Sequence, residues 1–396
     1  MKDFMNDEFL VPEDAHYFDS ACQTLRPASV LAAMRDYYEN FNSCGERVKY
    51  KWGQKVDEKV DGTREKLLEF LELSPKKYFV SFTQNTTYGL NLILSQLNVA
   101  RAGISRILTS DIEHNSPFLA TMALAKRTGL PREIITREDD GSLPVNYDYS
   151  AAILVVNVAS NIDGRKLKNL HEIVRVVHKA GGLVILDCAQ ATVTAHELLR
   201  KCEADAMCFS AHKAYSASLG AIVMRRDFIR FLDTSFIGGG MVDDASRDGY
   251  VLSASSPKSE HIHTIFEAGL QPYAEIIAFG EALDFILRSE KNGKIAQMKE
   301  FGVSVFEFLG GLDNVVLLNS EPATVLAFYM KNLDGHLLAE ALNRENIMVR
   351  SGYFCCHYYL SHVLGLPPLV RVSLGLHNSA ADVEHFKKVM AKVSGK

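Results

Sequence analysis

The sequence lacks the features that mark membrane, secreted and nucleic-acid-binding proteins. No stretch approaches the roughly 18 uncharged apolar residues of a membrane-spanning helix, so we expect no membrane span. Residues 1–8 are too acidic, and too short in apolar run, for a signal peptide. The formal net charge of −5 argues against a broad nucleic-acid interface and fits an enzyme that acts on small molecules.

The seven cysteines follow none of the usual cysteine patterns. Their number is odd, and no spacing repeats as it does in a disulfide framework. No Cys-x-x-Cys motif occurs, so we expect no structural zinc site and no other metal. We therefore expect reduced thiols and a cytoplasmic protein, with Cys188, Cys202 and Cys208 as small buried hydrophobic residues.

Two glycine-rich phosphate-binding motifs are also absent. Neither Gly-x-Gly-x-x-Gly nor Gly-x-x-x-x-Gly-Lys-Ser/Thr occurs in the chain. These motifs let the backbone approach the phosphates of dinucleotides and nucleoside triphosphates closely. The sequence therefore contains no motif that supports a dinucleotide or a nucleoside triphosphate as the ligand.

Composition and length predict a globular chain with two domains. Hydrophobic residues make up 47% of the chain and charged residues 23%, which is ordinary for a folded protein. A chain of 396 residues exceeds what one hydrophobic core usually supports. We expect a large domain over residues 20–270 and a small domain formed by residues 1–19 and 271–396.

Short apolar runs alternate with helical patterns in the large domain. The runs predict buried strands over 78–82, 107–109, 152–157, 183–187, 206–209 and 220–224. The patterns between them predict helices over 87–97, 117–128 and 167–180. This alternation predicts an α/β fold in which helices sandwich a mostly parallel sheet. Its active site is expected at the carboxyl ends of the strands.

The pattern changes after about residue 270. Helices are predicted over 274–288, 294–309 and 381–393. Shorter strands are predicted over 314–318, 325–330, 347–350 and 370–374. This arrangement predicts a small α+β module with its own antiparallel sheet, against which the first 20 or so residues are expected to pack.

Asp187 ends the predicted strand 183–187, and Gln190 follows three residues later. A buried carboxylate is costly unless a cation or a hydrogen-bond donor meets it. One interpretation is that Asp187 pairs with a protonated pyridine nitrogen and so keeps the ring an electron sink. The alternative is that Asp187 caps a following helix.

Lys213 follows the next predicted strand within Phe209-Ser210-Ala211-His212-Lys213. Burial there would lower the pKa of the amine, which suits a lysine that forms a Schiff base. Ser210 and His212 offer donors for a phosphate. An exposed loop would use the same residue types.

The segment Thr83-Gln84-Asn85-Thr86-Thr87-Tyr88-Gly89-Leu90 turns from a strand into a helix. Hydroxyl groups and free backbone N–H groups at a helix N-terminus form an anion site. The alternative is simple N-capping of the helix by Thr86.

In this order, these segments resemble the class V aminotransferase superfamily of fold-type I pyridoxal-phosphate (PLP) enzymes. The chain is most similar to the cysteine desulfurase and selenocysteine lyase branch. The likeness runs from Tyr17-Phe18-Asp19-Ser20-Ala21 to the C-terminal helix. It implies the fold-type I architecture, pyridoxal 5'-phosphate as the cofactor and a homodimer.

The resemblance also implies roles for residues around the cofactor. Lys213 matches the lysine that binds PLP covalently, and His114 of Glu113-His114-Asn115-Ser116 matches a histidine that stacks on the pyridine ring. Asp187 and Gln190 match the pair on the ring nitrogen and the phenolic oxygen. The expected cofactor-binding residues at the phosphate are Thr86, Thr87, Ser210 and His212.

Two further matches concern the substrate. Asn161, in Val158-Ala159-Ser160-Asn161-Ile162-Asp163-Gly164, would contact the substrate carboxylate or the phenolic side of the cofactor. Arg371 begins Arg371-Val372-Ser373-Leu374-Gly375-Leu376-His377-Asn378 and would bind the substrate carboxylate bidentately. For Arg371 the alternative is a solvated surface group.

The segment Val349-Arg350-Ser351-Gly352-Tyr353-Phe354-Cys355-Cys356-His357 is similar to the Arg-Thr-Gly-His-His-Cys segment of desulfurases, and it matches Cys355 to the nucleophile. Such a thiol needs an exposed, electropositive setting, which Arg350 and His357 could supply. The alternative is two buried cysteines near a strand end. Cys356 is either a neighbour without a role or a second thiol that relays sulfur.

Four positions depart from the family pattern, and one of them is Asn115, which replaces the second histidine of a Glu-His-His-Ser pattern. Tyr353 and Phe354 replace its paired histidines, and Leu270 replaces a threonine that reaches the phosphate of the neighbouring subunit. The stretch 242–265, after the turn Gly238-Gly239-Gly240-Met241, is long and polar.

The resemblance implies a cysteine desulfurase in which Lys213 moves the α-proton and Cys355 takes the sulfur of L-cysteine. His114 would be an orienting or an acid–base group. A sulfur-acceptor protein is a further expected partner. One alternative is a class V enzyme that does not use Cys355: an aminotransferase, a selenocysteine lyase, an epimerase or a C–S lyase. The other is a catalytically weak chain that serves as a scaffold for sulfur-accepting proteins.

Overall fold

A computed structural model describes residues 8–12, 14–46 and 48–395 of the chain. In chain order the strands are His16–Tyr17 (β1), Tyr78–Thr83 (β2), Arg106–Ser110 (β3), Arg132–Ile135 (β4), Ala152–Asn157 (β5), Leu183–Asp187 (β6), Ala206–Ser210 (β7), Gly220–Arg225 (β8), Val242–Ala245 (β9), Tyr250–Leu252 (β10), Val315–Leu317 (β11), Val325–Met330 (β12), Ile347–Met348 (β13), Arg350–Gly352 (β14) and Leu369–Ser373 (β15). The α-helices are Ala28–Asn40 (α1), Lys51–Phe70 (α2), Thr86–Gln96 (α3), Asn115–Thr128 (α4), Leu170–Lys179 (α5), Ala191–Thr194 (α6), His196–Leu199 (α7), Tyr273–Lys291 (α8), Lys294–Gly310 (α9), Gly335–Asn343 (α10) and Ala380–Ser394 (α11). Within the described residues, no helix is both long enough and apolar enough to cross a bilayer.

Seven strands form the central sheet, in the order β2-β8-β7-β6-β5-β3-β4. Strand β8 is antiparallel to both of its neighbours, and the remaining pairs are parallel. Every residue of β5 is buried, as expected of an uninterrupted apolar run covered on both faces. The predicted mostly parallel sheet is confirmed. Edge strand β4 was not predicted, because its charged first residues hide the short apolar run.

Alternate residues of strand β5 belong to two different hydrophobic cores. Ile153 and Val155 pack into the core that contains residues of α3 and α4. Leu154 and Val156 point the other way and pack into the core that includes α2, α5 and α8. Because side chains alternate across a strand, this division covers both faces of the sheet and confirms the predicted sandwich.

The second sheet has the order β11-β12-β15-β14 and is antiparallel throughout, as predicted. The predicted strand 347–350 is wrong in its extent. Strand β13 pairs in parallel with β1, whereas β14 pairs with β15. The chain therefore changes sheets between Met348 and Arg350, just before the segment that carries Cys355.

The described part of the N-terminal segment packs against the C-terminal module. In addition to the β1–β13 pairing, His16 Nδ1 lies 2.7 Å from Asp382 Oδ1 at the start of α11. Residues 1–7 of the predicted small domain lie outside the described residues. Helix α8 packs on α1 and α2, so the boundary predicted near residue 270 stays a prediction.

Candidate active site

The carboxyl ends of the central strands open into a cavity of about 280 Å³. Its walls come from both sheets, since β15 and the segment after β14 close it from the side of the small sheet. The structure brings all the predicted site residues to this one cavity: Thr86, Thr87, His114, Asn161, Asp187, Gln190, Ser210, His212, Lys213, Cys355 and Arg371. Their roles remain predictions.

Lys213 sits at the end of a single 3-10 turn, Ala211–Lys213, that follows β7. Desolvation in the cavity lowers the pKa of the Lys213 amine, an effect that the nearby Asp187 charge partly opposes. No described residue gives this amine a hydrogen bond or an ion pair. An unpaired amine with a lowered pKa is the form that condenses with an aldehyde.

Asp187 is the last residue of β6 and is buried, with its Oδ1 accepting a hydrogen bond from the Ala189 N–H at 2.9 Å. Burial raises the pKa of this carboxyl, because the local hydrogen bond and Lys213 only partly offset the loss of water. The carboxylate caps no helix, since the short helix α6 begins after Gln190. A cation within the cavity would stabilise its charged form.

His114 is the N-cap residue of α4, where its Nδ1 accepts a hydrogen bond from the Ser116 N–H at 3.0 Å. Burial, and secondly the Lys213 and Arg371 charges, lower the pKa of His114 to about 3. The ring is therefore neutral at physiological pH. Because Nδ1 is the acceptor, the ring proton lies on Nε2.

Arg137 holds the segment before His114 in place and was missed in the sequence. It is buried, pairs with Glu113 at 3.1 Å and donates to the Asn157 carbonyl at 2.7 Å. Burial raises the pKa of Glu113 to about 7 even though the Arg137 charge opposes it. An arginine in an otherwise unremarkable stretch carries no sequence signal of this role.

The start of α3 carries donors suited to an anion. Asn85, not Thr86, is the N-cap residue, and its Oδ1 accepts from the Tyr88 N–H at 2.9 Å. The Thr87 N–H has no partner among the described residues, while its hydroxyl lies 2.6 Å from Ser116 Oγ. Ser210 Oγ accepts from the Thr86 N–H at 3.0 Å, which ties the end of β7 to this turn.

Gly220 lets strand β8 approach the same turn. A Cβ atom there would lie 2.5 Å from Thr83 Oγ1 and 2.6 Å from the Asn85 backbone. Such distances are shorter than any van der Waals contact. Glycine at this position is therefore required for the position of the turn.

His212 and Gln190 complete the cofactor side of the cavity. Burial, and then the Lys213 and Arg26 charges, lower the pKa of His212 to about 4, so its ring is neutral. Gln190 Nε2 donates to the Ala21 carbonyl at 2.6 Å, which links β6 to the N-terminal segment.

Arg371 lies in β15 with its guanidinium buried in the cavity wall. It donates to Asp19 Oδ1 at 2.8 Å and to the Asn161 carbonyl at 2.9 Å. Its Nε has no partner in the described part of the chain. Arg371 is not a solvated surface group, and Asp19, missed in the sequence as a partner, orients it.

Asn161 uses its side chain to hold the segment that carries the predicted nucleophile. Its Nδ2 donates to the Phe354 carbonyl at 2.7 Å, and its Oδ1 accepts from Cys356 Sγ at 3.1 Å. The contact with substrate expected of Asn161 stays a prediction. Burial raises the pKa of the Cys356 thiol, so this cysteine stays protonated and unreactive.

Cys355, by contrast, is exposed and lines the cavity. Phe354 and Cys355 both adopt the left-handed conformation, with φ of 49° and 59°. Two such residues in succession, neither of them glycine, cost about 1–2 kcal/mol each and persist only where surrounding contacts fix them. The tight turn aims Cys355 away from the buried Cys356, and this rules out the alternative of two buried cysteines.

The two expected sources of positive charge near Cys355 differ in their relation to the cavity. Arg350 lines the cavity. His357 is exposed, does not appear among the described lining residues, and lies 3.4 Å from Asn115 Nδ2. The role of His357 beside Cys355 stays a prediction.

The described residues contain one cluster with metal-ligand atoms close together: Glu46, His263 and Glu267. It lies outside the cavity. Both carboxylate oxygens of Glu267 accept hydrogen bonds from Arg64, each at 2.8 Å. Because Arg64 pairs with both oxygens of Glu267, this cluster contains an ion pair. The expectation that the protein binds no metal stays a prediction.

Known proteins that are similar to this chain agree with this geometry. Similar proteins include probable cysteine desulfurases from Vibrio cholerae, 27% identical over 93% of this chain and 91% of that protein, and from Pyrococcus abyssi, 27% identical over 96% and 94%. The apo structure of cysteine desulfurase from Thermococcus onnurineus NA1 superposes with a TM-score of 0.90, at 26% identity over 100% and 98% of the two chains. This likeness confirms the predicted fold class. The family model for aminotransferase class-V matches residues 16–386, and the chain belongs to this family.

Proposed function

We propose that this chain is a PLP-dependent cysteine desulfurase, which converts L-cysteine to L-alanine and receives the sulfur on Cys355. One observation carries the proposal: an exposed thiol on a fixed turn faces the cavity that contains a desolvated, unpaired lysine. An aminotransferase needs the lysine but has no need of the thiol. The relatives named above as cysteine desulfurases support the same reaction.

Pyridoxal phosphate is the cofactor of this family, and the residues present fit it. Lys213 would hold the aldehyde carbon, and Asp187 would meet the ring nitrogen. Thr86, Thr87, Ser210 and His212 would hold the phosphate at the start of α3, where the Thr87 N–H lacks a partner. When bound, the cofactor supplies an electron sink for negative charge at the substrate α-carbon.

Residues of the chain itself have separate roles in the proposed reaction. Arg371, held by Asp19, orients the substrate carboxylate, and the neutral His114 presents a flat ring without adding charge. Lys213 Nζ would take a proton from the substrate α-carbon and return it, a role that suits an amine whose pKa is lowered. Cys355 Sγ attacks the substrate sulfur, so that an S–S bond forms as the C–S bond breaks.

We further infer that the chain acts as a homodimer in the cytoplasm. Phe236, Ile237 and Leu270 are large apolar residues on the surface, and the Gly269 N–H donates to the Gly239 carbonyl at 2.8 Å, so their two segments lie side by side. An exposed apolar patch of this kind favours a partner subunit. The seven free cysteines favour a reducing compartment, and a sulfur-acceptor protein remains part of the proposal.

The test uses purified protein supplied with L-cysteine and no acceptor. Alanine is measured by chromatography and the persulfide by alkylation and mass spectrometry. Wild type and Cys44→Ser, which changes an exposed thiol elsewhere, should form alanine and a Cys355 persulfide, whereas Cys355→Ser should form neither. Unchanged alanine formation by Cys355→Ser would favour a class V enzyme that does not use this thiol. No turnover by wild type would favour a scaffold.

A further inference from the structure

A second thiol, Cys22, lines the cavity that Cys355 faces. It is partly exposed, and the other thiols differ in burial or in place. The buried cysteines are Cys188, Cys202, Cys208 and Cys356. Cys44 is exposed and does not line the cavity. Cys22 and Cys355 are therefore the two thiols that share this space.

The position of Cys22 is fixed by the strand that carries Arg371. The Cys22 N–H donates to the Asp19 carbonyl at 3.0 Å, which closes a turn. The Ala21 N–H donates to Ser373 Oγ at 2.9 Å, and the Ser20 N–H donates to the Ser373 carbonyl at 3.2 Å. These bonds attach the turn to β15, so Cys22 has a defined place beside the substrate side of the cavity.

Arg350 gives Cys22 an electropositive setting. Arg350 Nη1 lies 3.5 Å from Cys22 Sγ, within the range of a hydrogen bond to sulfur. Its distance from Asp19 Oδ2 is 3.9 Å, so that carboxylate only weakly competes for the same nitrogen. The guanidinium can donate a hydrogen bond to the Cys22 sulfur and places a positive charge beside it. Arg350 also begins β14, the strand that leads into the turn at Cys355.

We propose that Cys22 is a second sulfur-carrying thiol, which takes the sulfur from the Cys355 persulfide. The proposal rests on the desulfurase function proposed above. Cys22 lies next to a cation in the same cavity as Cys355, whereas Cys356, the neighbour in sequence, is buried and bonded to Asn161. Spatial position, not sequence, selects the relay thiol.

The transfer balances without an added oxidant or reductant. The Cys22 thiolate attacks the outer sulfur of the Cys355 persulfide, and a new S–S bond forms at Cys22. The S–S bond at Cys355 breaks and that thiol leaves as a thiolate, which takes up the proton released by Cys22. Cys355 is then free to accept sulfur from a second molecule of L-cysteine.

The test locates persulfides on the cofactor-loaded protein after addition of L-cysteine without an acceptor. Samples are alkylated at successive times, digested and analysed by mass spectrometry. The sulfur should appear on Cys355 first and on Cys22 later, while Cys44 stays unmodified. Cys22→Ser should still load Cys355 but should lose half of the total persulfide. Cys355→Ser should carry no persulfide on Cys22.

Four results would overturn the relay. A Cys22 thiol that stays unmodified while Cys355 is fully loaded removes the transfer and leaves the desulfurase function standing. Loading of Cys44 to the same extent as Cys22 shows unselective exchange between protein molecules, in which any exposed thiolate attacks the outer sulfur of another molecule's persulfide. Loading of Cys22 in Cys355→Ser at the wild-type rate makes Cys22 the first acceptor. If wild type forms neither alanine nor any persulfide, the proposed function fails and the relay with it.

Discussion

Asp19 and Arg371 are joined by a hydrogen-bonded salt bridge of 2.8 Å, with both side chains largely withdrawn from solvent. Asp19 follows β1 and Arg371 lies in β15, so the pair ties the N-terminal segment to the small sheet at the wall of the cavity. An arginine placed in this way keeps its orientation before any substrate arrives. That preorganisation is the basis of its proposed role.

We therefore expect Asp19→Asn to raise the KM for L-cysteine about tenfold, equivalent to about 1.4 kcal/mol, because Arg371 loses the charge that orients it. Steady-state kinetics of alanine formation measure this effect. Asp248→Asn, on an exposed carboxylate of the β9–β10 connection, serves as the control and should leave KM unchanged. A wild-type KM in Asp19→Asn would show that Arg371 does not need this partner.

Asp187→Asn should weaken cofactor binding and lower kcat/KM by roughly tenfold to 100-fold. Hydrogen bonds to charged groups contribute about 1.5–3 kcal/mol, and the amide cannot neutralise a protonated ring nitrogen. Visible absorbance of the purified variant, before and after addition of L-cysteine, measures both cofactor content and reaction. A spectrum and a rate equal to those of wild type would place the ring nitrogen elsewhere.

The lowered pKa of His212, about 4, predicts a pH dependence of stability in the cofactor-free protein. The folded state resists protonation that the unfolded chain accepts near pH 6.5, so stability is present above that pH and is lost as the pH falls. Between pH 7.5 and 5.0 the loss from this residue should be about 1–2 kcal/mol.

His212→Gln removes that contribution, so its denaturant midpoint should change less than that of wild type over the same interval. Urea unfolding at the two pH values measures the difference. His171→Gln, on an exposed histidine of α5, is the control. An equal acid-induced loss in His212→Gln and wild type would contradict the assignment.

Gly220→Ala should displace the turn at the start of α3, because its Cβ would overlap the Asn85 backbone. Overpacking of this kind typically costs 1–3 kcal/mol. We expect a lower thermal midpoint. We also expect weaker binding of the cofactor phosphate even at a temperature where the variant is folded, which cofactor titration measures. Gly62→Ala, at a helical site where nothing lies within 4 Å, is the control.

The sequence predicted the central strands well because buried parallel strands are uninterrupted apolar runs. Predicted strands 152–157 and 183–187 match β5 and β6 to the residue. Helices α1 and α2, by contrast, were not predicted, since their apolar faces are diluted by charged and aromatic residues and are completed only by α8. Tertiary packing, not local periodicity, stabilises them.

Some residues of the site could likewise be predicted from the sequence and others could not. Residues that end strands, such as Asp187, could be placed from the sequence, because the carboxyl ends of parallel strands meet at one edge. Asp19 could not be assigned to Arg371, since 352 residues separate them and neither stands in a pattern that names the other. The left-handed turn at Phe354 and Cys355 was likewise invisible, because non-glycine residues rarely adopt it.

The most direct test of the account asks which side chain binds the cofactor covalently. The protein loaded with pyridoxal phosphate is reduced with borohydride and digested, and the modified peptide is identified by mass spectrometry. We expect a single adduct on Lys213 and its loss in Lys213→Ala. A stable adduct on another lysine, or a colourless protein that forms none when the cofactor is supplied, would contradict it.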